Sequence, residues 1–129
     1  GYLTCCLSII GKTVDTVDIN KSMLDAAKNV HDKYNIYNIN YFHKDVFSNW
    51  VPEKKYDIIV ITGAVESRLE KLEQILNQKG KMFIVIGNYP VMNVNIIEKV
   101  SENKLICVQS FETVIDHLIN NNKKNILNF

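Results

Sequence analysis

Cysteine is scarce in this chain: Cys5, Cys6 and Cys107 are all there is. An odd count with two neighbours adjacent is a poor disulfide framework. No C-x-x-C pair and no Cys/His cluster has the spacing of a zinc site, so no metal is expected. A reducing, cytoplasmic setting is the simpler expectation. Long apolar runs are also missing. None approaches the roughly 20 residues of a membrane helix, and no basic segment running into an apolar stretch opens the sequence, so no membrane association is expected. Charge of one sign is absent too. Fifteen basic side chains stand against 14 acidic ones, a net charge of +1, which lacks the basic excess of a nucleic-acid binder. There is no internal repeat and no sign of a second domain, and 129 residues suit a single one.

What is present is 47% hydrophobic residues, enough for a core, in a pattern that alternates between helix and strand. Gly1-Tyr2-Leu3-Thr4 leads into the apolar stretch Cys5 to Ile10, which reads as a short buried helix closed by Gly11. The β-branched run Thr13 to Ile19 reads as a strand. Asn20 to Ser22 then offers an N-cap, and Met23, Ala27, Val30 and Tyr34 fall on one helical face. Ile39 to His43 is a second strand, followed by a turn or short helix over Asp45 to Trp50. Tyr56 to Thr62 holds four consecutive apolar residues, Ile58 to Ile61, the mark of a parallel strand covered on both faces. Ser67 to Glu70 matches a capping box, with Leu69, Leu72, Ile75 and Leu76 as its helical stripe. Lys79-Gly80-Lys81 reads as a turn before the buried strand Met82 to Ile86. Beyond Pro90 the alternation of Met92, Val94 and Ile96 with Asn93 and Asn95, a polar turn at Ser101 to Lys104 and apolar Leu105 to Val108 predict an antiparallel hairpin. His117 to Phe129 is expected to fray.

In open α/β sheets ligands bind beyond the carboxyl ends of the strands. Four positions fall there: Gly1, Asp18, Asp45, and Thr62-Gly63-Ala64. An ionised carboxylate only accepts hydrogen bonds and can take both hydroxyls of a ribose. Such an acid follows a dinucleotide-type glycine loop by about 20 residues, and Asp18 lies 17 positions after Gly1. The alternative for Asp18 is a solvated strand end, and Asp15 competes from mid-strand. Asp45 suits an adenine amine or the N-cap of the turn that follows it. Gly63 suits close backbone approach to a ligand or an ordinary turn. His31, His43 and His117 sit on different elements and do not compose a metal site.

Taken in order, these segments resemble the protein-L-isoaspartate O-methyltransferase family over about residues 1 to 110. Gly1-Tyr2-Leu3-Thr4 resembles the end of that family's glycine-rich first motif, and Val17 to Asn20 (VDIN) its acidic strand end. Asn38 to Asp45 (NINYFHKD), Tyr56 to Ala64 (YDIIVITGA) and Leu76 to Asn88 (LNQKGKMFIVIGN) resemble the three strand motifs that follow. The resemblance implies a Rossmann-like class I methyltransferase sheet, mostly parallel with a C-terminal antiparallel hairpin, lacking the first strand and most of the glycine loop. It implies residues 1–116 as a partial S-adenosylmethionine-binding domain and 117–129 as a tail. The implied cofactor ligands are Gly1, Tyr2, Asp18, Ile19, Asp45, Val46, Thr62 and Gly63. The implied reaction is methyl transfer to the carboxylate of L-isoaspartyl residues in a damaged protein or peptide substrate, a repair function. Departures are Gln78-Lys79-Gly80-Lys81, without the usual proline and second glycine, Val65-Glu66 in place of alanine-proline, and Ser110-Phe111-Glu112 where arginine-phenylalanine is usual. The family's active-site serine has no counterpart here, so the resemblance assigns no catalytic residue. Other class I methyltransferases and a non-catalytic remnant remain as alternatives. Without the glycine loop to approach the cofactor's amino-acid end, Asp18 and Asp45 could hold only the adenosine end, so cofactor binding is expected to be weak. With no first strand its neighbours keep bare edges, so marginal stability or a partner strand is expected.

Overall fold

Residues 1–48 and 50–119 are described by a computed structural model of the chain, in which two units separate, Gly1–Trp50 and Val51–Phe129. The first contains α1 (Tyr2–Ile10), β1 (Val14–Asp18), α2 (Lys21–Lys33) and β2 (Ile39–His43). β1 and β2 pair in parallel from Val14↔Ile39 to Asp18↔His43, which requires the crossover that α2 supplies. Asn20 caps α2, its side chain accepting from the N–H groups of Ser22 and Met23 at 3.1 and 3.3 Å. Lys21–Asp25 and Lys28–Asp32 pairs at i, i+4 lie along its exposed side. The helix ends ahead of Asn35, whose φ of 58° is the left-handed conformation that asparagine tolerates.

Two expectations change in this unit. Helix α1 is not buried: Ser8 is its one buried residue, while Tyr2, Ile9 and Ile10 are exposed. Gly11 closes it through a bond from its N–H to Leu7 O at 2.8 Å with φ −95°, so the left-handed freedom of glycine is not used. The anticipated stripe of α2 is also wrong. Met23, Val30 and Tyr34 are exposed, and the buried residues are Leu24 and His31. Leu24, Ala27 and His31, at i, i+3 and i+7, form the inward face. Apolar periodicity misses it because one of the three is a histidine.

The second unit is a four-stranded sheet in the order β3 (Tyr56–Val65), β4 (Leu76–Asn88), β5 (Val91–Ser101), β6 (Lys104–Thr113). β3 and β4 are parallel, and the other two ladders are antiparallel, as the hairpin reading required. Leu76, Met82, Ile84, Ile97, Val65 and Val94 are its largest fully buried side chains. The short helix α3 (Glu70–Gln74) connects β3 to β4. The capping box does not form. Leu69 is the N-cap with no side-chain bond, and Leu76 belongs to β4, where it pairs with Tyr56. Arg68 instead grips the 3% exposed Glu73 with two bonds of 2.7 and 2.9 Å. That forked contact holds the guanidinium above its ordinary pKa. Lys79-Gly80-Lys81 lies inside the bounds of β4 but breaks its register, which jumps from Tyr56↔Leu76 to Ile58↔Lys81. Lys79 has φ 66° there.

The run Ile58 to Ile61 is not covered on both faces either. Ile61 is buried, but Ile58 is 62% exposed. The register aligns Val60, Phe83, Ile96 and Val108 in one row across all four strands, and the last three are exposed. Toward the carboxyl end of β3 the same face is closed. Ala64, Val85, Met92 and Val94 cluster there under Ile115.

Candidate functional site

In the first unit the helices and strands bring the candidate ligands to one end. Thr4 Oγ1 lies 3.3 Å from Thr16 Oγ1, at the middle of β1. Asn38, which enters β2, donates its side-chain N–H to Ser8 O at 2.7 Å, and its own carbonyl accepts from Val14 N–H. Helix α1 thus runs against the direction of β1, and Gly1, a helical turn beyond Thr4, lies toward the carboxyl end of the strands. Asp18 ends β1 at that same end. Its Oδ1 accepts from Asn20 N–H at 2.8 Å, and its backbone carbonyl accepts from Lys44 N–H at 3.2 Å. Ile19 follows, its carbonyl accepting from His43 Nε2–H at 3.0 Å.

Asp45, just past β2, organises a turn rather than a helix. Its Oδ1 accepts from Phe47 N–H at 2.9 Å, and its carbonyl from both the N–H and hydroxyl of Ser48. Val46 sits half-buried within that turn, and Trp50 lies with its ring 6.0 Å from Phe42. Tyr2 is exposed. Gly1, Asp18, Ile19, Asp45 and Val46 therefore gather at the carboxyl end of the β1–β2 pair.

In the second unit Thr62 and Gly63 lie inside β3, which runs on to Val65, and not in a turn after it. Thr62 is exposed and Gly63 buried. The group that lies close to Gly63 in this structure is the chain itself. Ala64 N–H donates to Asp116 O and Ala64 O accepts from Leu118 N–H, both at 2.9 Å. This makes a parallel bridge between Ala64 and His117. A Cβ on Gly63 would stand 2.7 Å from Leu118 Cδ2. His117 Nε2–H donates to Gly87 O at 2.9 Å. The start of the expected tail is thus paired along β3, while positions 120–129 lie outside the described residues.

The sequence reading passed over His31. Its side chain is 2% exposed, with Nδ1 at 2.6 Å from Tyr41 Oη and Nε2 at 3.1 Å from Gly1 O. Burial raises the pKa of the Tyr41 hydroxyl, which keeps it protonated. The one signal available was the i+7 spacing from Leu24. Among the described residues no group of three or more His, Cys, Asp or Glu could hold a metal ion. The three cysteines are free thiols, and among the described residues no helix is long and apolar enough to cross a membrane.

Parallel strands joined by a crossover helix, an acid at the end of β1, a second acid beyond β2 and an antiparallel hairpin after the last parallel pair define the class I methyltransferase fold. Solved structures share it. A Plasmodium falciparum chain described as a protein-L-isoaspartate O-methyltransferase, in complex with S-adenosyl-L-homocysteine, superposes with a TM-score of 0.76 at 21% identity, over 92% of this chain and 61% of its own. A second structure described as protein-L-isoaspartate O-methyltransferase gives 0.84 at 20% identity, over 98% and 43%. The family model for protein-L-isoaspartate(D-aspartate) O-methyltransferase matches residues 1–122, and the chain belongs to that family. A Vibrio vulnificus protein-L-isoaspartate O-methyltransferase is 33% identical over 67% of the chain. One from Alteromonas mediterranea is 26% identical over 87% of it. These matches span 42% and 47% of the two relatives, so the chain covers about half their length.

Proposed function

We propose that this chain provides the cofactor-binding part of an S-adenosylmethionine-dependent methyltransferase that acts in the cytoplasm on L-isoaspartyl residues of damaged proteins. Family membership supports the reaction, and the geometry of Asp18 carries the cofactor reading. With Oδ1 taken by Asn20 N–H, Oδ2 has no hydrogen bond among the described residues, and the side chain is half-buried at the strand end. That is an acceptor in the position where a ribose hydroxyl would donate. Gly1 and Tyr2 would face the amino-acid end of the cofactor. Ile19, Asp45 and Val46 would border the adenine, with Asp45 held by its own turn. Thr62 and Gly63 are the candidate contacts of the second unit, where Leu118 already lies on Gly63. Free cysteines suit a reducing compartment.

When bound, S-adenosylmethionine supplies a methyl group on a sulfonium, which a carboxylate oxygen attacks as the sulfur–carbon bond breaks. A carboxylate is nucleophilic without deprotonation by a strong base, so this chain's residues need only hold and orient. Titration with S-adenosylhomocysteine tests the reading. Asp18→Asn keeps the bond to Asn20 through its amide oxygen but loses a carboxylate acceptor. Affinity should fall by about tenfold or more, as expected for a charge-assisted hydrogen bond. Binding within twofold of the unsubstituted chain would remove Asp18 from the site.

A further inference from the structure

We propose that His31 is a positioning residue, which fixes Gly1 and the first turn of α1 so that the amino-acid end of the cofactor meets a preset backbone. This rests on the cofactor reading above. A carbonyl oxygen can only accept, so the 3.1 Å contact to Gly1 O assigns the proton to Nε2. In the ring protonated at Nε2 alone, Nδ1 accepts from Tyr41 O–H at 2.6 Å. The two ring centroids are 5.9 Å apart with their planes inclined by 29°, and Lys28 Nζ lies over the Tyr41 ring at 5.9 Å from its centroid. Both imidazole nitrogens are thus used in a buried place, and the ring has one orientation.

Gly1 O also accepts the first helical bond of α1, from Cys5 N–H at 3.0 Å. His31 therefore holds the very carbonyl that starts the helix. Contact adds a second point. A Cβ on Gly1 would lie 3.0 Å from Ala27 Cβ, so the backbone is seated against the methyl group one turn before His31.

The arrangement does more than fasten one helix to another. Helix α2 starts at Asn20, whose N–H donates to Asp18 Oδ1. One rigid helix is therefore bonded at its start to the ribose-side acid and, near its end, through His31, to the amino-acid side. The spacing between the two halves of the site is set by α2. Removing His31 should release the Gly1 side and leave the Asp18 side unchanged.

A pair of ligands separates these halves. S-adenosylhomocysteine engages both, and 5′-methylthioadenosine lacks the amino-acid end. In NMR-detected titrations His31→Leu should weaken S-adenosylhomocysteine by about fivefold to tenfold, the scale of one hydrogen bond and the order it brings. Methylthioadenosine should stay within twofold. His31→Gln, which keeps an amide donor, should recover most of the loss, and it serves if the leucine variant folds poorly. An equal loss for both ligands, or no loss for either, overturns the proposal. If the unsubstituted chain binds neither ligand, the cofactor reading fails, and positioning is then read from hydrogen exchange. The Cys5 amide should exchange faster in His31→Leu and return toward the original rate in His31→Gln, with β2 unchanged. An unchanged Cys5 rate overturns it.

Discussion

At Gly63 a single missing carbon decides whether the chain can lie against its own strand. A Cβ would meet Leu118 Cδ2 at 2.7 Å and Leu118 N at 3.1 Å. The side-chain tip can rotate away, but the backbone nitrogen is tied to Ala64 O. Gly63→Ala should therefore loosen the pairing of Asp116 and Leu118 with β3 and lower stability by about 1–3 kcal/mol, the usual range for overpacking. Faster exchange of the Leu118 amide and a lower urea midpoint would report it. At this scale the place of Asp18 at the end of β1 was legible, because an acid that closes a β-branched run marks where the strand stops. His31 was not. Nothing in its neighbours distinguishes a buried histidine from an exposed one until the carbonyl of Gly1 and the hydroxyl of Tyr41, 30 and 10 residues away, are in place. All three histidines bond a backbone carbonyl through Nε2, at Gly1, Ile19 and Gly87, and each partner is distant in sequence.

Among the elements, α2 is specified by a local signal. The Asn20 side chain takes two backbone N–H groups and the Ser22 hydroxyl at 2.7 Å. Asn20→Ala should cost about 1 kcal/mol in chemical denaturation, the typical value of an N-cap. Because the backbone N–H to Asp18 survives the change, ligand affinity should fall far less than in Asp18→Asn. Strands β1 and β2 and the β5–β6 hairpin were readable for the same local reason: β-branched runs, alternation and a polar turn. Helix α3 was not. Ser67 to Glu70 has the residues of a capping box, yet the pairing of Leu76 with Tyr56 and the bond from Tyr56 N–H to Ile75 O at 2.8 Å claim the end of the expected stripe for the sheet. Long-range pairing overrode a local preference there. The register break in β4 is the remnant of the turn that Lys79-Gly80-Lys81 advertised.

For the molecule as a whole, the family assignment came from motif order, which survives even where single motifs are weak. Burial was harder to read. Ile58 to Ile61 has the composition of a strand covered on both faces, but composition records what a strand tolerates and not which neighbour covers it. The exposed row of Phe83, Ile96 and Val108 is a contiguous apolar band of the kind that drives association. Because Ile96 and Val108 are exposed, the double variant Ile96→Thr and Val108→Thr should change the urea unfolding midpoint little, as expected for surface substitutions.

The bridge between Ala64 and His117 also has a consequence in time. Its two sides are 53 residues apart in sequence, and a ribosome makes β3 first. For several seconds, at roughly 5–20 residues per second, the emerging β3 has no Leu118 to lie on Gly63. The local helix α2 can form early, whereas closure of the β3 edge waits for nearly all of the described chain to be synthesised. For this edge of β3 the interval open to mispairing during biogenesis ends when Asp116, His117 and Leu118 arrive.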